Sequence, residues 1–273
     1  MLSRPISSLM HYLKLDNDDI NSIKMKRLLS KLIYIFAKTR GYKVISRFFY
    51  HNVQDLIVVL KNCERLSNDH QLPFEDWELR YVLLLWLSIA IMIPFELKSM
   101  FGEHSDIISR LRNLCCNYLF LHGKEREGAI LVLSKAFMRQ DLESSLKDFV
   151  NWCTNVLSQT TKSSIFIAPS ILNFFCEVLK VSQGSKVTEL IAPIESSLSL
   201  TKSLAVNNPL LRKYRIKLMS RLCYKIPLND LSAIDRIEDV VDNLLDHLND
   251  SVSCISTFSR NNLISEKHLG HYR

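Results

Sequence analysis

Glycine and proline are scarce in this chain. There are six glycines and seven prolines, thirteen of 273 residues, where average usage would give about 12%. Few positions can therefore adopt a positive φ or preset a tight turn, which weighs against many-turned β sandwiches and glycine-rich nucleotide folds. Period-2 alternation with hairpin turns is missing too. So are a GxxxxGK[ST] phosphate loop, a GxSxG elbow and an HExxH pair. No CxxC pair occurs among the seven cysteines (Cys63, Cys115, Cys116, Cys153, Cys176, Cys223 and Cys254). Their number is odd, and the first ten residues lack the apolar stretch of a signal peptide. A reduced, cytoplasmic setting with thiols as small apolar fillers is the expectation.

Metal and catalytic sets are equally thin. The histidines are scattered, and only His268 and His271 stand three apart, with no cysteine beside them. Cys115 and Cys116 are adjacent, so on a helix they point about 100° apart and do not share a ligand face. The acidic pairs Asp18–Asp19 and Glu75–Asp76 stand where helices should begin, and suit capping or solvation better than acid–base work. No catalytic residue, cofactor or metal is expected, and the chain reads as a non-enzyme. The longest apolar run, Tyr81 to Phe95, is YVLLLWLSIAIMIPF. It falls short of the roughly 20 residues that a spanning helix needs. It also contains Pro94 and lies between Arg80 and Glu96, so a buried helix is expected and no membrane span.

What is present is helical periodicity. Hydrophobic residues make up 47% of the chain, enough for a real core. Met25, Leu28, Leu29, Leu32 and Phe36 form one stripe, closed by Gly41 after Lys38 and Arg40. Val53, Leu56, Ile57 and Leu60 form a second, and Ile107, Leu111, Leu114, Tyr118 and Leu121 a third. Leu211, Tyr214, Leu218 and Leu222 make a fourth. The cleanest runs through Ile237, Val240, Val241, Leu244, Leu245 and Leu248, opposite Glu238, Asp239, Asp242 and Asp246. Grouped in pairs, first helices start near residues 25, 76, 124, 169 and 209. Hairpin repeats of the HEAT and armadillo kind run at about 40–47 residues. The expected fold is all-α, a HEAT/armadillo-like α-solenoid of about five helical hairpins, although periodicity alone leaves a plain helical bundle open. The expected organisation is a lead-in over residues 1–24, a helical-repeat domain over 25–250 and an irregular tail over 251–273.

The formal charge is +7 and the pI near 9.0. The most basic stretch, RKYRIKLMSRLCYK, places Lys213, Lys217, Arg221 and Lys225 in a broad strip at i, i+4, i+8 and i+12. Such a strip is a solvated helix face, a surface for an acidic protein partner, or a nucleic-acid or acidic-membrane contact. With no RNA-recognition or zinc-finger signature in the chain, nucleic acid is the less expected partner.

Several blocks resemble one family, the tubulin-folding cofactor D (tubulin-specific chaperone D) proteins. IYIFAKTRGYKVISRFFYHNV, from Ile33, is similar to a family helix followed by an RGYK turn. Arg40, Gly41, Tyr42 and Lys43 match it, while Tyr50 stands where the family usually has Pro. WELRYVLLLWLSIAIMIPFEL, from Trp77, resembles the family's most distinctive block. AILVLSKAFMRQD from Ala129, NPLLRKYRIKLMSRL from Asn208 and IEDVVDNLLDHLND from Ile237 follow in the family's order. Family members are several times longer, so the resemblance implies an N-terminal-half segment. It stops after Asp250, where a polar, aperiodic tail points to a truncated, alternatively spliced or mispredicted end, and the part before Lys24 lacks a full family N-terminus. The resemblance implies a non-catalytic chaperone scaffold that binds β-tubulin in assembly and disassembly of the αβ heterodimer. It implies cofactors E and C and an ADP-ribosylation-factor-like small GTPase as partners. It further implies tubulin GTP hydrolysis promoted only with those partners, and a cytoplasmic, cytoskeleton-associated location. A basic helical scaffold for nucleic acid or acidic membrane is the alternative.

Overall fold

The structure, a computed structural model, describes residues 2–15, 19–67, 74–97, 107–159 and 162–225, and beyond them only positions 238, 241, 242, 244 and 245. The tail from residue 251 lies outside the described residues, as does most of the helix expected at Ile237–Leu248. Ten helices of at least three turns follow one another among the described residues. They are α1 (Ser3–Lys14), α2 (Ile20–Arg40), α3 (Val53–Ser67), α4 (Trp77–Ala90) and α5 (Ile107–Leu119), then α6 (Lys124–Phe137), α7 (Glu143–Ser158), α8 (Lys162–Val181), α9 (Ser185–Leu200) and α10 (Pro209–Lys225). No strand occurs among the described residues.

Each odd-numbered helix pairs with the even-numbered helix that follows it. The even helices α2, α4, α6, α8 and α10 lie side by side in one layer. The odd helices form the second layer, where α5 and α7 meet through the Arg112 guanidinium, 5.9 Å from the centre of the Trp152 ring. The described residues thus form an all-α solenoid of five helical hairpins. The starts read from the sequence near 25, 76, 124, 169 and 209 belong to the second helix of each pair. Ile6, Leu9, Met10 and Leu13, at i, i+3, i+4 and i+7, bury α1 in the common core as the missing first member. α8 begins at Lys162, earlier than its interior Pro169 suggests.

The apolar run beginning at Tyr81 becomes α4, buried on all sides from Leu79 to Ser88 by α2, α3 and α6. Among the described residues no helix is long and apolar enough to cross a membrane. α4 and α6 meet closely at Gly128, where a Cβ would stand 2.8 Å from the Leu84 Cβ. Arg80 crosses the same interface to Glu125 at 3.0 Å, with both side chains buried. Beyond α4, the Arg139 guanidinium donates to the carbonyls of Ile91 (2.8 Å), Ile93 (2.7 Å) and Phe95 (2.6 Å) and pairs with Asp141. Asp141 in turn accepts from the Leu97 N–H at 3.0 Å. The MRQD end of one sequence block therefore locks the IPFEL end of another. Trp86 plays the same part for the FFYHNV block: its indole donates to the Tyr50 carbonyl at 2.7 Å and stacks on Phe49.

α2 departs from its sequence pattern. Asp19 caps it by accepting from the Ser22 N–H, and Gly41 ends it at φ +87°. Its inner face is Ser22, Lys26, Ser30, Ile33 and Ala37, whereas Met25, Leu28 and Leu32 of the apolar stripe are exposed and Leu29 and Phe36 are half-buried against the core. The Ser22 and Ser30 hydroxyls have no hydrogen-bond partner among the described residues. Tertiary anchors override the stripe: Arg27 pairs with Asp76 (2.6 Å) and Glu75, and Tyr34 packs edge-on against Trp77 and Tyr81. These anchors turn α2 about its axis, and Glu75 and Asp76 act as ion-pair acceptors across the interface.

Two outcomes follow for urea unfolding. Ile33→Ala should cost about 2–4 kcal/mol, while Leu28→Gln with Leu32→Gln should change stability by no more than about 1 kcal/mol. The reverse order would place the stripe inward. Gly128→Ala should destabilise by about 1–3 kcal/mol through overpacking, against the roughly 1 kcal/mol that alanine gains as a helix former.

Candidate protein-binding groove

The RGYK turn sets the edge of a groove on the even layer. Gly41, at positive φ, lets the chain reverse out of α2, and a single helical turn, Tyr42–Ile45, carries Tyr42 and Lys43 to the neighbouring helices. Beneath them a hollow of about 530 Å³ has an apolar floor that includes Ile89, Leu131, Met138 and Val181. Cationic side chains line it: Lys43 and Arg47 from the turn, Lys135 from α6 and Lys180 from α8. A smaller hollow of about 180 Å³ shares Tyr42, Leu131 and Glu177 with it and continues to Tyr214 and Lys217 of α10. The volume of the larger one is in the range of ligand-binding clefts.

Charge on this face is unbalanced. Glu177 alone serves Lys217 (3.5 Å), Arg221 (3.5 Å) and Lys180 (3.8 Å). Glu127, at the edge, is already paired with Lys124. Glu177 pulls the pKa of Lys180 upward, but burial and the cations Lys43 and Arg221 outweigh it and leave the net shift downward. Lys135 is also lowered, by burial. Tyr42 is raised, chiefly by burial and then by Glu177 and Glu127, with Arg221 opposing.

The basic strip of α10 divides between structure and surface. Lys213 is exposed. Lys217 bonds Asn173 (3.4 Å) and Glu177 and stands 5.8 Å from the centre of the Tyr214 ring. Arg221 donates to the Cys176 carbonyl, and Lys225 donates to the Ser182 carbonyl (2.9 Å) at the end of α8. Three of the four strip cations therefore fasten α10 to α8, and Lys217 and Arg221 reach the groove through Glu177. The sequence strip points to neither Lys135, Lys180, Lys43 nor Arg47. The available signal was a lone lysine inside the apolar stretch AILVLSKAF and the glycine-hinged RGYK turn.

Another hollow, of about 540 Å³, lies between the starts of α4 and α6. Of its buried charges, Arg80 and Glu125 satisfy each other, while the Arg126 Nη1 has no hydrogen-bond partner among the described residues. Among the described residues no group of three or more His, Cys, Asp or Glu side chains is placed to hold a metal ion. Cys63, Cys115, Cys153 and Cys176 are buried, and burial raises each thiol, that of Cys176 to about 12. Cys116 is partly open and raised to about 11, with Arg112 opposing the burial effect.

Over residues 1–157 the sequence matches the family model described as tubulin-specific chaperone D-like, ARM repeat. It is 28% identical over 224 residues to the tubulin-folding cofactor D of Schizosaccharomyces pombe, a match covering 81% of this chain and 19% of that protein. It is 25% identical to the tubulin-specific chaperone D of Dictyostelium discoideum, over 46% of this chain and 13% of that protein. The chain therefore spans about a fifth or less of the relatives it matches. No solved structure matches the chain significantly.

Alkylation by iodoacetamide at pH 8, read by mass spectrometry, should leave Cys63, Cys115, Cys153 and Cys176 unmodified in the folded chain and modify all four in urea, since only the accessible thiolate reacts. Fast labelling of any of the four in the folded chain would contradict their burial.

Proposed function

The chain belongs to the tubulin-specific chaperone D-like, ARM-repeat family, and from that premise we propose that it is a non-catalytic tubulin-folding chaperone segment whose even-layer groove grips β-tubulin. The family match over residues 1–157 carries this reading, because it contains the RGYK turn and the α4 and α6 surfaces that build the groove. The surplus of cations there suits an acidic client, speeding encounter and fixing its orientation more than adding raw affinity. A two-layer solenoid offers a long wall and no dry enclosed pocket, which fits a folded protein better than a small substrate.

In the same proposal the segment works within αβ-tubulin assembly and disassembly in the cytoplasm, alongside cofactors E and C and an ADP-ribosylation-factor-like small GTPase. Any promotion of tubulin GTP hydrolysis would then arise only in that company.

The test is capture of β-tubulin by the immobilised 273-residue chain, compared with a variant carrying Lys43→Glu, Arg47→Glu and Lys180→Glu. Lys217, Arg221 and Lys225 stay in place because they hold α10. Capture should weaken by about tenfold or more in the triple variant and fall with rising salt in the parent. Lys213→Glu alone should have a smaller effect. Equal capture by parent and triple variant would remove the groove from the proposal. No capture of β-tubulin, together with steep salt-dependent retention on heparin, would favour a nucleic-acid or acidic-membrane scaffold.

A further inference from the structure

Lys135 is a poorly compensated charge on the even layer, and it lines the groove. It stands half-buried on α6, and its ammonium donates only to the Ser88 hydroxyl, at 3.5 Å. That hydroxyl spends its own proton on the Leu85 carbonyl at 2.8 Å and offers Lys135 a neutral lone pair. No carboxylate pairs with Lys135 among the described residues. A half-buried ammonium loses part of its hydration, and that loss is recovered when a carboxylate arrives. The surroundings favour an incoming anion over an internal one, because the single nearby carboxylate, Glu177, is already shared by three cations. Beside Lys135 the floor is apolar, with Leu131 from the same helix, Met138 just past its end and Ile89 from α4. Lys43 and Lys180 stand at the rim and extend the positive field outward.

We propose that this groove binds a short peptide segment of a protein partner, seating a carboxylate on Lys135 and the neighbouring apolar side chain on the Ile89–Leu131–Met138 floor. The proposal rests on the groove being the client-binding face. It goes further by naming the recognised chemistry, a carboxylate with an apolar neighbour, and the residue that reads it. The ammonium and the apolar floor lie side by side in one hollow, so a segment that turns a carboxylate and an apolar side chain to the same side satisfies both. Arginine or lysine in the ligand at the carboxylate position would meet like charge and be rejected.

The experiment uses fluorescence anisotropy of a labelled ten-residue peptide of alternating Leu and Glu, titrated with the full chain. Lys135→Met should weaken binding by about tenfold or more, the loss expected for one charge-assisted contact. Lys135→Arg should keep affinity within about threefold, and the Leu/Gln version of the peptide should bind the parent as weakly as the Leu/Glu peptide binds Lys135→Met. Circular dichroism checks the fold of each variant. If Lys135→Met unfolds, the exposed Lys180→Gln decides, with a loss of about threefold expected. Unchanged binding in the deciding variant, equal binding of the Leu/Gln peptide, or binding of a single-stranded oligonucleotide in place of the Leu/Glu peptide overturns the proposal. β-Tubulin capture by the same variants separates the two levels. Capture that persists while peptide binding ignores Lys135 sinks only the peptide site. Lys135-dependent peptide binding without β-tubulin capture leaves the site standing and sinks the tubulin reading.

Discussion

The rest of this structure depends on one constraint: α4 is apolar around nearly its whole circumference and must be covered on every side. A surface helix hides a stripe, but α4 hides Leu79, Val82, Leu83, Leu84, Leu85, Trp86 and Leu87 together. Each of these contributes about 1.5–3 kcal/mol when removed from water. No single partner helix meets that demand, so α2, α3 and α6 close around it. α6 comes near enough only because residue 128 is glycine. Once α4 is central, the even helices must line up on either side of it, and the solenoid grows outward through α8 and α10.

The candidate functional face is a by-product of that layer. Packing α2, α4, α6 and α8 side by side leaves their outward positions to solvent, and several of these carry lysine or arginine. One carboxylate, Glu177, stands among them and is divided between α8 and α10 cations. The groove therefore carries a positive surplus at its rim and an underpaired ammonium at its floor. Its roof is the RGYK turn, which the positive φ of Gly41 makes geometrically accessible. Family likeness thus has a physical counterpart: the blocks that resemble the family are joined by Arg139, Trp86 and Gly128 into one rigid support for the groove.

Much of this was legible in single stretches of sequence. The helices α3, α5 and α10 bury most of the apolar positions that their periodicity marks, including Leu56, Leu60, Leu111, Leu114, Leu218 and Leu222. Gly41 ends its helix as read, and the run from Tyr81 is a core helix. The α2 stripe was misleading for a particular reason. Its amphipathicity is a local property, whereas its rotation is decided by Arg27 meeting Asp76 and Tyr34 meeting Trp77 and Tyr81, contacts about fifty residues away in the chain. The pairing phase shifted because α1, which Ile6, Leu9, Met10 and Leu13 bury in the core, was left out of the helix pairs.

What the sequence determined by itself was the all-helical class and the family, because side-chain periodicity and block order are written along the chain. What only the tertiary structure decided was which cations are held by packing and which gather around the hollow. Lys213, Lys217, Arg221 and Lys225 form one strip on one helix, yet packing sends Lys217, Arg221 and Lys225 to acceptors on and just beyond α8 and gathers Lys43, Arg47, Lys135 and Lys180 from separate elements around one hollow. Charge is a property of a residue, but its availability depends on which acceptors the fold brings within about 3–4 Å of it.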